Sequence, residues 1–440
     1  MTIVEQFAGF AVGYRAAPMS AEVTHHAQRA VIDWYAAALP GAVLPPATSL
    51  QQALADEVGH GRTQLVSGTP ATIRAAALIN GTAAHIVEVD DIFREAIYHP
   101  GAPTIAAALA LAQARKVSGA DFLRAVVVGY EVSTRIGAAM GRAHYRYWHN
   151  TGTIGCFGAA AGAAEILQLD AARFAHALAT VATFAAGLQQ AFRMDSMSKP
   201  LHAGRAAEAG VTAALAAAEG VTGSLDILEG DSGLGRAMSD GPDWRQAVAT
   251  LGRDFHITRI TFKNHACCGH TFAPIDGALA LQAQHGVRPD DIERIDILTY
   301  RAALEVAGYE HPATPAEARF SVKYAVASAL CHGSVRLAAF EPARLADPAT
   351  RALMTRIVLG VDPELDAAFP GRRAARIRMQ LRDGRVLTLL QPTRKGDPEQ
   401  PLTDDELAQK FDELAVPVLG QAAADALLGR LRQIDRLDTL

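Results

Sequence analysis

The chain predicts a mainly α protein, with a large all-helical part followed by a smaller α+β part, and three observations carry that prediction. Alanine-rich segments with helical apolar spacing, broken by Gly, Pro and Asp turns, run up to Gly252. After Gly252 the texture changes, because Phe255, Ile257, Ile260 and Phe262 stand among Thr and Arg. Then Ile377, Met379 and Leu381 alternate with Arg378, Gln380 and Arg382, Asp383-Gly384 turns the chain, and Val386, Thr388 and Leu390 return, as in a hairpin.

Taken in order, the expected helices are 21–38, 72–89, 104–117, 120–140, 155–167, 171–190 and 205–219. Their small side chains let backbones approach closely, so many helices can share one core without bulky filler. Residues 254–263 and 292–300 have strand-like compositions, and helices are expected over 272–285 and 321–332 between the strands. Thr403-Asp404-Asp405-Glu406 is a capping box that starts a helix running toward Val416. No fixed-period repeat points to a solenoid.

Composition narrows the function. At 440 residues the chain is long for one core, and with 50% hydrophobic and 20% charged residues it is globular rather than disordered. A net charge of −5, with no basic run, argues against nucleic acid as a partner. The apolar stretch 174–192 contains His176, Thr180, Thr183, Gln189 and Gln190, so it reads as a buried helix rather than a membrane span. The N-terminus carries no secretory pattern. Cys156, Cys267, Cys268 and Cys331 do not make a disulfide scaffold, and the expected compartment is the cytoplasm.

Chemistry concentrates in a few segments. Lys199-Pro200-Leu201-His202-Ala203-Gly204-Arg205 places a lysine, a histidine and an arginine near one face of a helix start, where free N–H groups and the dipole favour an anion. Solvated side chains on a surface helix are the plain alternative. His99 lies in a Pro-flanked turn, where a histidine is more often a cap or a hydrogen-bonded loop residue. His149 precedes Thr151-Gly152-Thr153, where glycine admits a ligand to the backbone, or it simply opens a helix. Tyr324 follows Phe320 by four residues on an apolar helix, where core packing with a satisfied hydroxyl is the plain reading. Asp90-Asp91 reads as a helix end or cap.

Read together with Lys263-Asn264-His265-Ala266-Cys267-Cys268-Gly269-His270, Ile275-Asp276 and Phe320-Ser321-Val322-Lys323-Tyr324, these segments resemble the MmgE/PrpD family. That family includes 2-methylcitrate dehydratases, cis-aconitate decarboxylases and an iminodisuccinate epimerase. The resemblance implies a helical domain of residues 1–252 and 398–440, with 253–397 as an α+β lid domain. It implies His99, His149, Lys199, Lys263 and Tyr324 as catalytic residues, and Asp91, His202, Arg205 and His270 at the substrate. It also implies a homodimer, which flat small-residue helix faces would suit. The chain departs from the family's Asp-Phe-Asp-Asp-Thr pattern with Glu88-Val89-Asp90-Asp91-Ile92, and it has Phe272 where a histidine is common.

The expected function is a cofactor-independent lyase on a small di- or tricarboxylate, a 2-methylcitrate dehydratase-like enzyme first, with decarboxylase and epimerase as alternatives. A non-catalytic carboxylate-binding relative is the reading of another class. No metal is expected, since the adjacent Cys267 and Cys268 diverge, no further cysteine stands at ligand spacing, and no His-Glu-x-x-His pair occurs. Gly152-x-x-Gly155-x-x-Gly158 lacks the preceding strand and β-α-β unit of a dinucleotide turn. Cofactor-free acid–base chemistry is expected, with His149 as base, His99 or Tyr324 as acid, and Lys199, Lys263 and Arg205 holding the developing charge. The site is expected to draw on both the helical part and the part containing the strands.

Overall fold

Alanine and glycine decide how the helices pack. Gly204 shows why: a Cβ there would fall 2.2 Å from the Leu78 carbonyl oxygen and 2.1 Å from Thr82 Oγ1, so two helices touch backbone to backbone. The computed structural model describes residues 1–192, 196–369 and 371–440. Internal contacts divide the chain into a larger unit, Met1–Thr261 with Thr403–Leu440, and a smaller one, Phe262–Leu402.

The larger unit contains helices α1 (Ile3–Tyr14), α2 (Ala21–Ala42), α3 (Ala47–Ala53), α4 (Ile73–Ala83), α5 (Gly101–Arg115), α6 (Gly119–Tyr145), α7 (Asn150–Thr153), α8 (Gly155–Ile166), α9 (Ala171–Ala182) and α10 (Ser198–Ala218). A small antiparallel ribbon, β1 (Val58–Gln64) and β2 (Pro70–Ala71), precedes α4. Ser20, Thr72, Ser118 and Asp170 cap their helices through side-chain oxygens, which explains where α2, α4, α6 and α9 begin. Every residue of α8 is buried. Pro200 lies in the first turn of α10, so Lys199 stands at the helix entrance.

Two expected helices end early. Residues 72–89 yield only α4, because the chain leaves the helix after Ala83 and Glu88 takes a left-handed φ of 61°. The expected buried helix over 174–192 is α-helical only to Ala182, with a 3-10 turn at Gln189–Phe192. Gly187 turns at φ 133°, and Phe184, Leu188 and Phe192 are exposed rather than buried.

After the smaller unit the chain returns through helix Asp404–Leu419, whose Thr403–Glu406 capping box is formed. Its buried Lys410 lies 2.6 Å from Asp33 Oδ1 of α2 and donates to the Val89 carbonyl at 2.7 Å. That second bond fixes the backbone beside Asp90.

The smaller unit is built on a four-stranded mixed sheet of β3 (Ile292–Thr299), β4 (Ile357–Val361), β5 (Ala375–Leu381) and β6 (Val386–Gln391), in the order β4-β3-β5-β6. β3 and β4 are parallel, while the β5–β6 hairpin is antiparallel. Ala375, Ile377, Met379 and Leu381 are buried as the alternation predicts, and helix Phe272–His285 packs on β5 and β6. Residues 254–263 do not form the expected strand. His256–Arg259 is a 3-10 turn whose first amide is taken by the buried Glu131 carboxylate, and Thr261 makes only an isolated bridge with Ile92. Among the described residues, no helix is long and apolar enough to cross a membrane.

Candidate active site

The segment between α4 and α5 carries the candidate site of the larger unit. His85, Glu88, Asp90, Asp91 and His99 all lie on it, and two of its non-glycine residues, Glu88 and Ile97, take left-handed φ values of 61° and 49°. Such conformations persist only where surrounding contacts enforce them. Lys410 does so at Val89, and the Asn150 side chain does so by donating to the Ala96 carbonyl.

Four imidazoles gather there. Asp90 Oδ2 lies 2.6 Å from His85 Nδ1 and 3.1 Å from His99 Nδ1. The His85 ring stacks on His149 at 5.4 Å and meets the His99 ring edge-on at 4.8 Å. His149 opens α7, holds the Gly187 carbonyl through its own amide at 2.9 Å, and brings its Nδ1 to 3.0 Å from His202 Nδ1 on α10. Gly187 has to be glycine for this packing, since its φ is 133° and a Cβ would sit 3.1 Å from His202 Nδ1.

Burial makes most of these groups neutral. It pushes the His85 imidazole down to about 4, reinforced by Lys199 and only partly offset by Asp90. His149 is held well below the ordinary imidazole range by burial and then by His85 and Lys199, and His202 is lowered by burial and Lys199. Burial opposes ionisation of Asp90, yet His99 and His85 outweigh it and hold the carboxyl well below its usual range. A neutral His85 therefore donates its Nδ1 proton to a carboxylate. Its Nε2, together with Asp90 Oδ1 and His99 Nδ1, is buried without a hydrogen-bond partner.

Lys199 stands at the edge of this cluster, over the Phe192 ring at 5.3 Å, and its ammonium is ion-paired with Glu88. The expected cation is present, though an internal carboxylate already meets it. Asp91, expected at the substrate, is turned the other way: Oδ1 accepts the Gly101 amide at 3.0 Å and Oδ2 the Tyr130 hydroxyl at 2.7 Å. Asp90 is the acid that faces the imidazoles. Arg205 is engaged by Glu208 on an exposed side of α10, not with His202.

In the smaller unit, Lys263 is buried, and His270 Nδ1 lies 2.7 Å from the Tyr300 hydroxyl. Tyr324 is also buried, but its hydroxyl donates to the Ala339 carbonyl, which matches the plain core reading. A pair not anticipated as functional is His265, whose Nε2 lies 2.8 Å from Asp276 Oδ1 and whose buried Nδ1 has no hydrogen-bond partner.

His85 and the pairing of Glu88 with Lys199 were not evident in the sequence. A lone histidine after the small-residue run Ala83-Ala84, five residues before Asp90, was the available signal for His85. Among the described residues, His85, Asp90 and His99 are also the group whose donor atoms, all within 4.8 Å of one another, come near enough to hold a cation. Their arrangement suits a proton better. Two ligands ~2.1 Å from a tetrahedral ion stand about 3.4 Å apart, whereas His85 Nδ1 and Asp90 Oδ2 are at the 2.6 Å of a charge-assisted hydrogen bond.

Residues 5–247 match the MmgE/PrpD N-terminal domain and residues 265–432 the MmgE/PrpD C-terminal domain. The chain is 28% identical over 428 residues to the cis-aconitate decarboxylase-like protein oryM of Aspergillus oryzae, covering 91% of this chain and 87% of that protein. It is 27% identical over 374 residues to the cis-aconitate decarboxylase of Homo sapiens, with coverages of 82% and 77%. For the cis-aconitate decarboxylase of Aspergillus terreus the values are 25% over 444 residues, 94% and 90%. The chain belongs to the MmgE/PrpD family.

Proposed function

We propose that this protein is a lyase that decarboxylates a small unsaturated polycarboxylate of the cis-aconitate type. The observation that carries the reading is one sheltered cluster in which His99 stands beside Asp90, His149 stacks on His85 and Lys199 pairs with Glu88. Of the reactions open to the family, the names of the relatives favour decarboxylation over the dehydration first expected.

Decarboxylation of such a substrate needs two services. When carbon dioxide leaves the allylic carboxylate, the electron pair of the broken C–C bond forms a new double bond. The old double bond then takes up one proton at its far carbon. His99 is proposed to supply that proton, because the Asp90 carboxylate beside it stabilises the imidazolium. His149 and His202, both held neutral by burial, suit hydrogen bonding to the substrate rather than protonating it. Lys199 exchanges Glu88 for a substrate carboxylate and holds it while charge redistributes.

The test is proton NMR of the purified protein in deuterated buffer with cis-aconitate, citrate, methylcitrate and iminodisuccinate. Release of carbon dioxide from cis-aconitate, with one deuterium in the product, is expected. Dehydration of methylcitrate or citrate without carbon dioxide would replace this reading with the dehydratase one, and turnover of none would leave a binding protein.

A further inference from the structure

His85 is fully buried and bears no part in the chemistry proposed so far. Its position is nevertheless specific. Asp90 presents one oxygen, Oδ2, to two imidazoles: the contact to His85 Nδ1 is a short hydrogen bond of 2.6 Å, whereas His99 Nδ1 stands farther off at 3.1 Å. The other oxygen of Asp90 has no hydrogen-bond partner. The two rings therefore compete for a single acceptor, and His85 holds the better place.

We propose that His85 is a positioning residue that binds Asp90 and thereby sets the proton affinity of His99. Charge sharing links the three side chains. A carboxylate that accepts a short hydrogen bond has less to offer a second donor, so His99 feels a weakened anion and gives up its proton more readily. Were His85 removed, Asp90 would be free to align with His99, and the imidazolium form of His99 would be favoured. The remaining charged and titratable groups around this corner are His149 with His202 behind it, Lys199 paired with Glu88, and, on the other side of Asp90, Asp91 and the Asp33–Lys410 pair. Of these, His149 touches the His85 ring directly, which is why its own titration is followed beside that of His99. This inference rests on the reading of His99 as the proton carrier.

The experiment follows the histidine ring nitrogens of the full chain by NMR through a pH titration, in the wild type, His85→Phe and His85→Asn. In His85→Phe the His99 midpoint should rise by about one unit, a tenfold gain in proton affinity. His85→Asn, whose amide N–H can take the place of the Nδ1 donor, should restore it. An unchanged His99 midpoint in His85→Phe, or an equal shift in both variants, overturns the proposal. Should His85→Phe fail to fold, Asp90→Asn decides, because the His99 midpoint has to fall when the shared anion is removed, and constancy there refutes the link. In parallel, the alkaline limb of cis-aconitate turnover should move upward in His85→Phe through kcat rather than KM. Absence of wild-type turnover would defeat the decarboxylase reading while the titration still decides the role of His85.

Discussion

The larger unit buries a second histidine–carboxylate cluster, around Glu131, and it is wired differently from the one around Asp90. Glu131 pairs with Arg135 at 3.0 Å and accepts the His256 amide, and the Arg135 guanidinium also reaches the Ala247 carbonyl at 3.3 Å and Thr250 Oγ1 at 3.1 Å. Thr134 donates to the Tyr130 carbonyl at 2.6 Å, so His256 Nδ1 is the donor in its 3.1 Å contact with Thr134. No side-chain atom of Glu131, Thr134, Arg135 or His256 is among the buried atoms that lack a partner. Around Asp90, three such atoms are left over. A finished network holds helices together. An unfinished one keeps donors and acceptors available for something that is not part of the chain.

This contrast can be broken most directly by stability measurements. Glu131→Ala leaves the Arg135 guanidinium buried without its carboxylate, and should cost about 3–5 kcal/mol in denaturant unfolding. Asp90→Asn strands no cation and should cost about 1 kcal/mol or less. Equal losses would mean that both clusters are structural. The order should reverse for activity: His99→Gln should lower turnover by about 10²-fold or more and His149→Gln by less, each with the unfolding midpoint nearly unchanged. Variants that lose stability in step with activity would remove these residues from the chemistry.

The two clusters were also unequally legible. His99, His149, Lys199 and His202 were readable because they stand beside Pro and Gly turns or at a helix entrance, where polar residues interrupt alanine runs. His85 and the Glu131 network were not, since a buried polar residue inside a helical pattern looks like any exposed one until its partners are known. Glu131 finds Arg135 one helical turn away, but the His256 amide lies 125 positions away. The β5–β6 hairpin and the Thr403 cap were legible for the opposite reason, being local signals. The strand expected over 254–263 failed because the buried Glu131 recruited the His256 amide, and composition alone carries no trace of that. The short parallel strand β4 went unread, as its pairing with β3 depends on a distant segment.

Asp91 sharpens the comparison because it neighbours Asp90 in sequence yet is wired like Glu131, with both oxygens satisfied. Burial, then the Asp33 and Asp90 charges, push its carboxyl up to about 8 against the donors Tyr130 and Gly101. In the unfolded chain the ordinary value is ~3.9, so between those limits the native state binds a proton that the unfolded state does not. The stabilisation is complete below about pH 4 and is lost as pH rises through 8. Unfolding free energies at pH 5, 6.5 and 8 should fall by about 1 kcal/mol per pH unit more steeply in the wild type than in Asp91→Asn. Parallel lines would show that Asp91 is ionised in the native state.

The pair between Lys199 and Glu88 lies between the two patterns. It is a closed ion pair like Glu131–Arg135, yet its side chains are 16% and 18% exposed, compared with 1% and 0% for Arg135 and Glu131. An ion pair in reach of water contributes only about 0.2–1 kcal/mol, so a ligand carboxylate can exchange for Glu88 at small cost. Glu88→Gln removes the competing charge while keeping the side-chain length. It should tighten binding of a polycarboxylate roughly threefold, and the gain should shrink as salt is raised. Isothermal titration with cis-aconitate at low and moderate ionic strength would measure it. Weaker binding in Glu88→Gln would mean that Glu88 orients Lys199 toward the ligand rather than competing for it, and the pair would then belong with the finished network after all.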